Sequence, residues 1–152
     1  MTLKHRLAFV FATGFGSGYS PSAPGTAGSA VGLLFVWMMS RLSLPGQIVA
    51  VVAVTLLAMA AADIVAHSLN LKDPGVIVAD EIAGMMVTMI AIPLTLTSAL
   101  LGFVLFRVMD VVKPPPARQF EKFKGGVGIV ADDLMAGVYA QLALRGLLLV
   151  VA

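Results

Sequence analysis

Two adjacent carboxylates, those of Asp80 and Glu81, lie inside residues 76–86, a run that is otherwise apolar. Burying an ionised carboxylate without a partner is costly, and two neighbouring carboxylates also repel each other. We therefore expect a cation to be held against this pair. Because adjacent side chains on a helix point about 100° apart, one carboxylate can bind that cation while the other orients water or pairs with a basic group.

Five of the eight acidic residues of the chain are embedded in apolar sequence. These candidate metal ligands are Asp80, Glu81, Asp110, Asp132 and Asp133. The chain has no Cys and only two His, so oxygen ligands dominate, which favours a hard cation such as Mg²⁺. The set is large enough for two metal ions, as in many phosphoryl-transfer sites. The plainer alternative is that acids at a helix start stabilise that terminus.

Arg107, Asp110 and Lys113 recur at every third position and would share a broad face of one helix. In the functional interpretation, Arg107 and Lys113 clamp a phosphate group and Asp110 is a metal ligand. The alternative is a pair of ion pairs within the helix, with Lys113 at a membrane interface. Asp63 and His67, four residues apart, are interpreted as a surface pair at a helix end.

Residues 13–29 are dense in Gly, Ser and Pro, and we predict a loop there. Its backbone N–H groups, together with the start of the next helix, could cradle a phosphate. We assign Ser17, Thr26 and Ser29 to phosphate binding, although Thr26 and Ser29 would also serve as ordinary helix caps. A second glycine-rich segment, residues 125–128, is interpreted as a turn.

The pattern Asp-x-x-Ala-Gly occurs twice, at residues 80–84 and 133–137. Small residues one turn after an acid permit two helices to approach closely. In a chain so rich in Ala, we do not infer a duplication from this repeat.

The composition is that of a membrane protein. The chain is 59% hydrophobic and 12% charged, with a mean hydropathy of +0.99, whereas an average soluble domain is about 25% charged. The basic isoelectric point, near 9.2, indicates contact with anionic lipid and not with nucleic acid, because no basic face interleaved with aromatic residues is present. A cleaved signal peptide is not expected, since the apolar run at residues 7–12 is shorter than a signal core of roughly 7–15 residues.

The hydrophobic pattern predicts an all-α fold in one domain, residues 1–152. Five apolar stretches are predicted to be helices, because strict alternation is absent and Ala, Leu and Met are abundant. They are residues 30–39, 48–66, 76–92, 100–112 and 129–151. Residues 41–46 are predicted to be a turn, with Pro45 and Gly46 as the signal. We expect a multihelical bundle, membrane-embedded, although several stretches are shorter than the roughly 20 residues that a spanning helix needs.

One membrane topology would place all the embedded acids in a single layer, at the same end of the bundle. If the N-terminus is cytoplasmic and all five stretches cross, the long polar loops 13–29, 67–75 and 113–128 are cytoplasmic. These loops carry five of the ten Lys and Arg residues, whereas the opposite side has only Arg41, with Arg145 nearby, as the positive-inside rule requires. Each embedded acid then lies at the cytoplasmic end of its helix, so the polar groups meet at one end of the bundle.

Two other classes of function fit some of these features. Acids within membrane helices often mark ion pathways, so a cation carrier or channel is one alternative. The second alternative is a soluble helical bundle that binds a metal and a phosphorylated small molecule, which the short helices would fit.

Four blocks in the same order resemble the phosphatidylglycerophosphatase A family over nearly the whole chain. The blocks are GSGYS with APGTAGS at 16–29, DP with IVADE at 73–81, FRVMDVVKP at 106–114, and GGVGIVADD with AG at 125–137. The resemblance implies an all-helical fold and Mg²⁺-dependent removal of the terminal phosphate of phosphatidylglycerophosphate, which gives phosphatidylglycerol.

It also implies a multi-pass protein of the bacterial inner membrane whose active site faces the cytoplasm and whose partner is the phospholipid substrate in the bilayer. The number of metal ions and the oligomeric state stay open. We assign catalytic roles to Asp80, Glu81, Asp110 and Asp133. A cysteinyl-phosphate intermediate is excluded because the chain has no Cys, whereas an aspartyl-phosphate is not.

Overall fold

The computed structural model describes residues 1–151, which form seven α-helices, one short 3-10 helix (Ser17–Tyr19) and connecting loops, without a strand in that range. The α-helices are α1 (Leu3–Ala12), α2 (Pro24–Met39), α3 (Leu44–Leu69), α4 (Ala79–Met89), α5 (Leu96–Val112), α6 (Ala117–Phe120) and α7 (Gly125–Val151). The prediction of an all-α fold is confirmed, and the five predicted stretches correspond to α2, α3, α4, α5 and α7.

Several boundaries differ from those predicted, and proline explains two of them. The sequence pattern predicts a loop at Pro24 and a turn at Pro45, but each proline lies in the first turn of a helix, where a missing N–H costs nothing. The loop predicted over residues 113–128 contains α6, and α7 already begins at Gly125. Helix α1 was not predicted; the Thr2 side chain caps it by accepting from the backbone N–H of His5.

Helix α4 lies at the centre of the bundle and contacts α1, α2, α3, α5 and α7. Its side chains Ile82, Met85 and Met86 are almost wholly buried. With 11 residues it is about 16 Å long. The most buried helix therefore carries Asp80 and Glu81 in its first turn, which explains why these carboxylates are flanked by apolar residues.

Helices α4 and α7 run parallel and cross at two glycines. A Cβ atom on Gly84 would lie 2.7 Å from the Asp133 carbonyl oxygen, and one on Gly137 would lie 2.5 Å from the Gly84 carbonyl oxygen. The Thr88 hydroxyl donates to that same Gly84 oxygen at 2.9 Å. The repeated Asp-x-x-Ala-Gly pattern therefore forms this crossing, which sets Asp80 beside Asp133.

The polar loops gather at one end of the bundle, which we call the site end. It comprises the starts of α2, α4 and α7 and the ends of α3 and α5. The backbone N–H of Gly126 donates to Asp63 Oδ1 at 3.1 Å, and the N–H of Val78 donates to the Ala12 carbonyl at 2.8 Å. The opposite end, where α4 ends at Met89 and α5 begins, is called the far end. The predicted clustering of polar loops is confirmed.

Large apolar side chains, such as Val49 and Leu56 on α3 and Leu100 on α5, are exposed on the outer surface. Among the described helices, α3 and α7 are long and apolar enough to cross a membrane. Helices α2 and α5 have 16 and 17 residues and α4 has 11, short of the roughly 20 that a crossing needs. By length and composition alone, crossing is thus indicated for two helices and not for all five predicted stretches.

Candidate active site

Three carboxylates from two helices meet at the site end. Asp80 and Glu81 come from the first turn of α4, and Asp133 comes from α7. One carboxylate oxygen of each lies within 4.8 Å of the others. The crossing at Gly84 and Gly137 fixes this geometry, because the two backbones could not approach as closely with larger side chains.

Four carboxylate oxygens at this end are buried and have no hydrogen-bond partner within residues 1–151. They are Asp80 Oδ1, Glu81 Oε2, Asp132 Oδ1 and Asp133 Oδ2. Such groups cost stability unless a ligand satisfies them. Burial raises the pKa of the Asp80 carboxyl well above its usual value, and nearby Glu81 and Asp133 raise it further. Burial likewise raises the pKa of Glu81.

The chemistry of this donor set suits a divalent cation. All donors are oxygen atoms, which hard cations such as Mg²⁺ prefer. Asp80, Glu81 and Asp133 each offer one carboxylate oxygen within 4.8 Å of the other two, so that one ion could neutralise charges that otherwise repel.

Arg107 lies on one flank of the carboxylate cluster. Its Nη1 atom is 2.5 Å from Asp110 Oδ2 and 3.8 Å from Glu81 Oε1, and it donates to the Ser29 hydroxyl at 3.5 Å. A Cβ atom on Gly25 would collide with Glu81 Oε1 and lie 3.0 Å from both terminal nitrogens of Arg107. The missing side chain of Gly25 thus allows the first turn of α2 to lie against this pair.

Lys113 lies on another flank with different partners. It ends α5 in the left-handed conformation, with φ of 48°. Its Nζ atom is 2.5 Å from Asp132 Oδ2 and 2.6 Å from Glu121 Oε1. Burial alone would lower the pKa of the Lys113 ammonium, but the hydrogen bonds to Asp132 and Glu121 outweigh burial and raise it. Of the two ion pairs in the alternative interpretation, the Arg107–Asp110 pair within the helix is present, whereas Lys113 pairs with other segments.

The predicted phosphate-binding hydroxyls occupy different places. Ser29 is buried beside Arg107 and donates to the Gly25 carbonyl at 2.8 Å. Thr26 is exposed and lines a groove that Arg107 also lines. Ser17 donates to the Thr13 carbonyl at 3.4 Å, and no hydrogen bond joins it to the carboxylates in the described part of the chain.

The sequence did not point to Glu121 or to the capping role of Asp63. Glu121 is the only acid in its loop, but nothing in the pattern brings it to Lys113. Asp63 lies 3.7 Å from His67, as predicted, and its other oxygen accepts from the backbone N–H of Gly126.

The loop that carries Glu121 also lines a cavity of about 520 Å³. Its charged lining residues are Lys72, Asp73, Glu121, Lys122, Lys124 and Asp132.

Comparison with known proteins agrees with the sequence resemblance. A family model described as phosphatidylglycerophosphatase A matches residues 10–148. Proteins named phosphatidylglycerophosphatase A are 38% identical in Escherichia coli, over 85% of this chain and 76% of the relative, and 38% identical in Haemophilus influenzae, over 86% and 82%.

A protein of Bacteroides thetaiotaomicron, provisionally named phosphatidylinositol-3-phosphatase, is 37% identical over 88% of this chain and 89% of its own length. No solved structure matches the chain significantly. The family match covers most of the sequence, including every residue of the carboxylate cluster. The chain therefore belongs to the phosphatidylglycerophosphatase A family.

Proposed function

We propose that the protein is a Mg²⁺-dependent phosphatase that converts phosphatidylglycerophosphate to phosphatidylglycerol. Family membership supports a phosphatase that cleaves a phosphate monoester. The names of the three relatives give two different lipid headgroups, and in both the phosphate that is removed is a monoester. The observation that carries the proposal is the buried carboxylate cluster beside Arg107, since it combines a cation-binding set with a phosphate-binding cation.

Asp80, Glu81 and Asp133 are the residues that would hold Mg²⁺, with Asp110 and Asp132 nearby. When bound, the ion would offset the negative charge that builds up on the phosphoryl oxygens. In support, the buried oxygens of these side chains have no partner among the described residues.

Arg107 would bind the phosphate oxygens, because a guanidinium presents several donors in a fixed fork. Its bond to Asp110 holds that fork beside Glu81. A water molecule positioned by a carboxylate would attack phosphorus in line with the glycerol oxygen. The bond between phosphorus and that oxygen breaks, a bond from water to phosphorus forms, and the proton of the water passes through a carboxylate to the leaving alcohol.

We further propose that the site end faces the cytoplasm at the bacterial inner membrane, in a multi-pass protein. The exposed apolar surface and the candidate crossings α3 and α7 support a bilayer setting. The loops at the site end carry Lys72, Lys122 and Lys124, which agrees with the positive-inside rule and would attract an anionic headgroup.

A cation pathway is disfavoured by the core beneath the carboxylates. Met85, Met89 and Leu144 are buried together between the two ends of the bundle, in a cluster of apolar side chains. An ion crossing the protein would need polar groups along that stretch.

Phosphate release from phosphatidylglycerophosphate in detergent micelles tests the proposal. We expect activity with Mg²⁺, loss of activity with a chelator, and loss in Asp133→Asn. Asp63→Asn is the matched control, since it makes the same change at a half-exposed acid and retains an oxygen that can cap α7. Activity that survives both chelation and Asp133→Asn would contradict the proposal.

A further inference from the structure

The cavity of about 520 Å³ at the site end, which we call the lysine cavity, adjoins the carboxylate cluster. It is formed by residues 72–73 of the loop before α4, by residues 121–124 and by the first turns of α7. Asp132 lines the cavity, and the next residue along α7 is Asp133 of the cluster. A molecule whose phosphate reaches the cluster can therefore extend into this cavity.

Positive charge prevails in the lysine cavity, although its lining contains three lysines and three acids. The lysines are Lys72, Lys122 and Lys124, which are exposed and whose side chains have no ion pair or hydrogen bond within residues 1–151. Two of the acids, Glu121 and Asp132, already accept from the ammonium group of Lys113. Asp73 is then the one acid that faces three free ammonium groups, so the cavity attracts an anion.

An aromatic residue lies between two of these lysines. Phe123 lines the cavity, is half exposed, and stacks on Phe120 with 5.5 Å between the ring centroids. Lysines beside an exposed phenylalanine suit the boundary between acyl chains and headgroups, because the ring contacts apolar chains while the ammonium groups contact lipid phosphates. The phosphodiesters of a bilayer lie in this layer.

We propose that the lysine cavity binds the internal phosphodiester of the lipid substrate while the terminal phosphate lies at the carboxylate cluster. This inference rests on the proposed function and adds how the rest of the headgroup is recognised. One glycerol joins the two phosphates, so their phosphorus atoms are at most about 7–8 Å apart. The diester must therefore lie in a polar space next to the cluster. The second glycerol and the acyl chains would lie outside the cavity, toward Phe123.

The two apolar grooves of the bundle do not suit a phosphodiester. A groove of about 420 Å³ between α3 and α7 has no charged residue in its lining within residues 1–151. The groove between α2 and α5 has one, Arg107, which the proposed function assigns to the terminal phosphate. The lysine cavity has several cations that the terminal phosphate does not use.

The two products of the reaction each retain one of the two phosphates, and so they probe the two positions separately. Phosphatidylglycerol with two six-carbon chains retains the diester, whereas inorganic phosphate is the group that is released. Each is measured as an inhibitor of the release of labelled phosphate from phosphatidylglycerophosphate of the same chain length. A nonionic detergent is used, so that the lysines cannot act by attracting a charged surface.

In the double variant Lys122→Gln, Lys124→Gln we expect the inhibition constant of the short-chain phosphatidylglycerol to rise about tenfold, because two cations beside the diester are lost. The inhibition constant of inorganic phosphate should change less than about twofold. Lys4→Gln, at an exposed lysine of α1, is the matched control and should leave both constants unchanged. The double variant Lys122→Arg, Lys124→Arg keeps both charges and should bind phosphatidylglycerol within about threefold of the unaltered protein.

Four results would overturn the inference. They are an absence of inhibition of the unaltered protein by the short-chain phosphatidylglycerol, an unchanged constant in the double Gln variant, equal rises for the two inhibitors, and an equal effect of Lys4→Gln. They differ from failure of the proposed function, in which the unaltered protein would release no phosphate from the substrate.

Discussion

The two ends of the bundle treat their polar groups in opposite ways. At the far end, Gln141 Nε2 donates to the Ile90 carbonyl at 2.8 Å, and Gln47 Oε1 accepts from the Ala91 N–H at 2.9 Å. At the site end, four buried carboxylate oxygens have no partner in the described chain. The far end satisfies these polar groups within the chain, whereas the site end leaves buried acceptors for which a bound ligand would be the missing partner.

This difference predicts that substitutions at the two ends of the bundle have opposite effects on activity and stability. Substitutions of the carboxylates should reduce activity without reducing the free energy of unfolding, and substitutions at the far end should do the reverse.

Asp80→Asn should lower kcat by about 10³-fold, because it removes a charge from the carboxylate cluster that we propose to be the active site. In chelator, the same variant should be at least as stable as the unaltered protein, since it removes a buried charge that burial and Glu81 already disfavour. Phosphate release and urea unfolding measure the two effects. A variant that is both active and less stable would show that Asp80 is a structural acid.

Gly84→Ala should lower the free energy of unfolding by about 3 kcal/mol, because the new methyl group meets the Asp133 carbonyl and the Phe106 ring at the α4–α7 crossing. Activity should fall with it, since the crossing positions Asp133. Gly146→Ala in α7 is the control, because nothing lies within 4 Å of its added Cβ, and it should stabilise by about 0.5–1 kcal/mol. Equal stabilities of the two variants would refute the close crossing.

Arg107→Lys should lower kcat/KM by about 10- to 100-fold, because an ammonium cannot bond Asp110 and present a fork to phosphate at once. Arg145→Lys applies the same change at the far end, where the Arg145 Nη2 donates to the Ile90 carbonyl at 3.3 Å. Its kcat/KM should change less than about twofold. Similar kinetic losses in both variants would remove the distinction between the ends.

Thr95→Ala should cost about 1 kcal/mol of stability and leave activity unchanged. Thr95 and Ser98 cap the start of α5 reciprocally, each side chain accepting from the backbone N–H of the other. Thermal unfolding and phosphate release report the two quantities. A marked loss of activity would mean that far-end stability is coupled to the site.

The sequence predicts five of the helices and the carboxylate layer because both depend on local pattern. Apolar stretches interrupted by Pro and Gly define helices, and acids inside such stretches stand out. The sequence also shows that Asp80 and Asp133 have similar neighbours, because each begins an Asp-x-x-Ala-Gly pattern. That the two copies face each other could not be predicted, since it depends on how α4 and α7 pack.

Pairings between distant segments were the main features that the sequence could not show. The spacing groups Lys113 with Arg107. In the structure, Lys113 follows the last turn of α5 in the left-handed conformation, which places it beside Asp132 and Glu121. The spacing predicts the contact between Asp63 and His67, which is present, whereas the capping of α7 by Asp63 requires the tertiary contact with Gly126. Helix α1 was missed because its short apolar segment gives a weak periodic signal.

Calorimetric titration of Mg²⁺ into the purified, chelator-treated protein most directly tests the claim that the site end is a cation site. The account predicts saturable binding by the unaltered protein and by Asp63→Asn, and binding weakened about 100-fold or more in Asp80→Asn. Equal Mg²⁺ affinities in the unaltered protein and Asp80→Asn would contradict it.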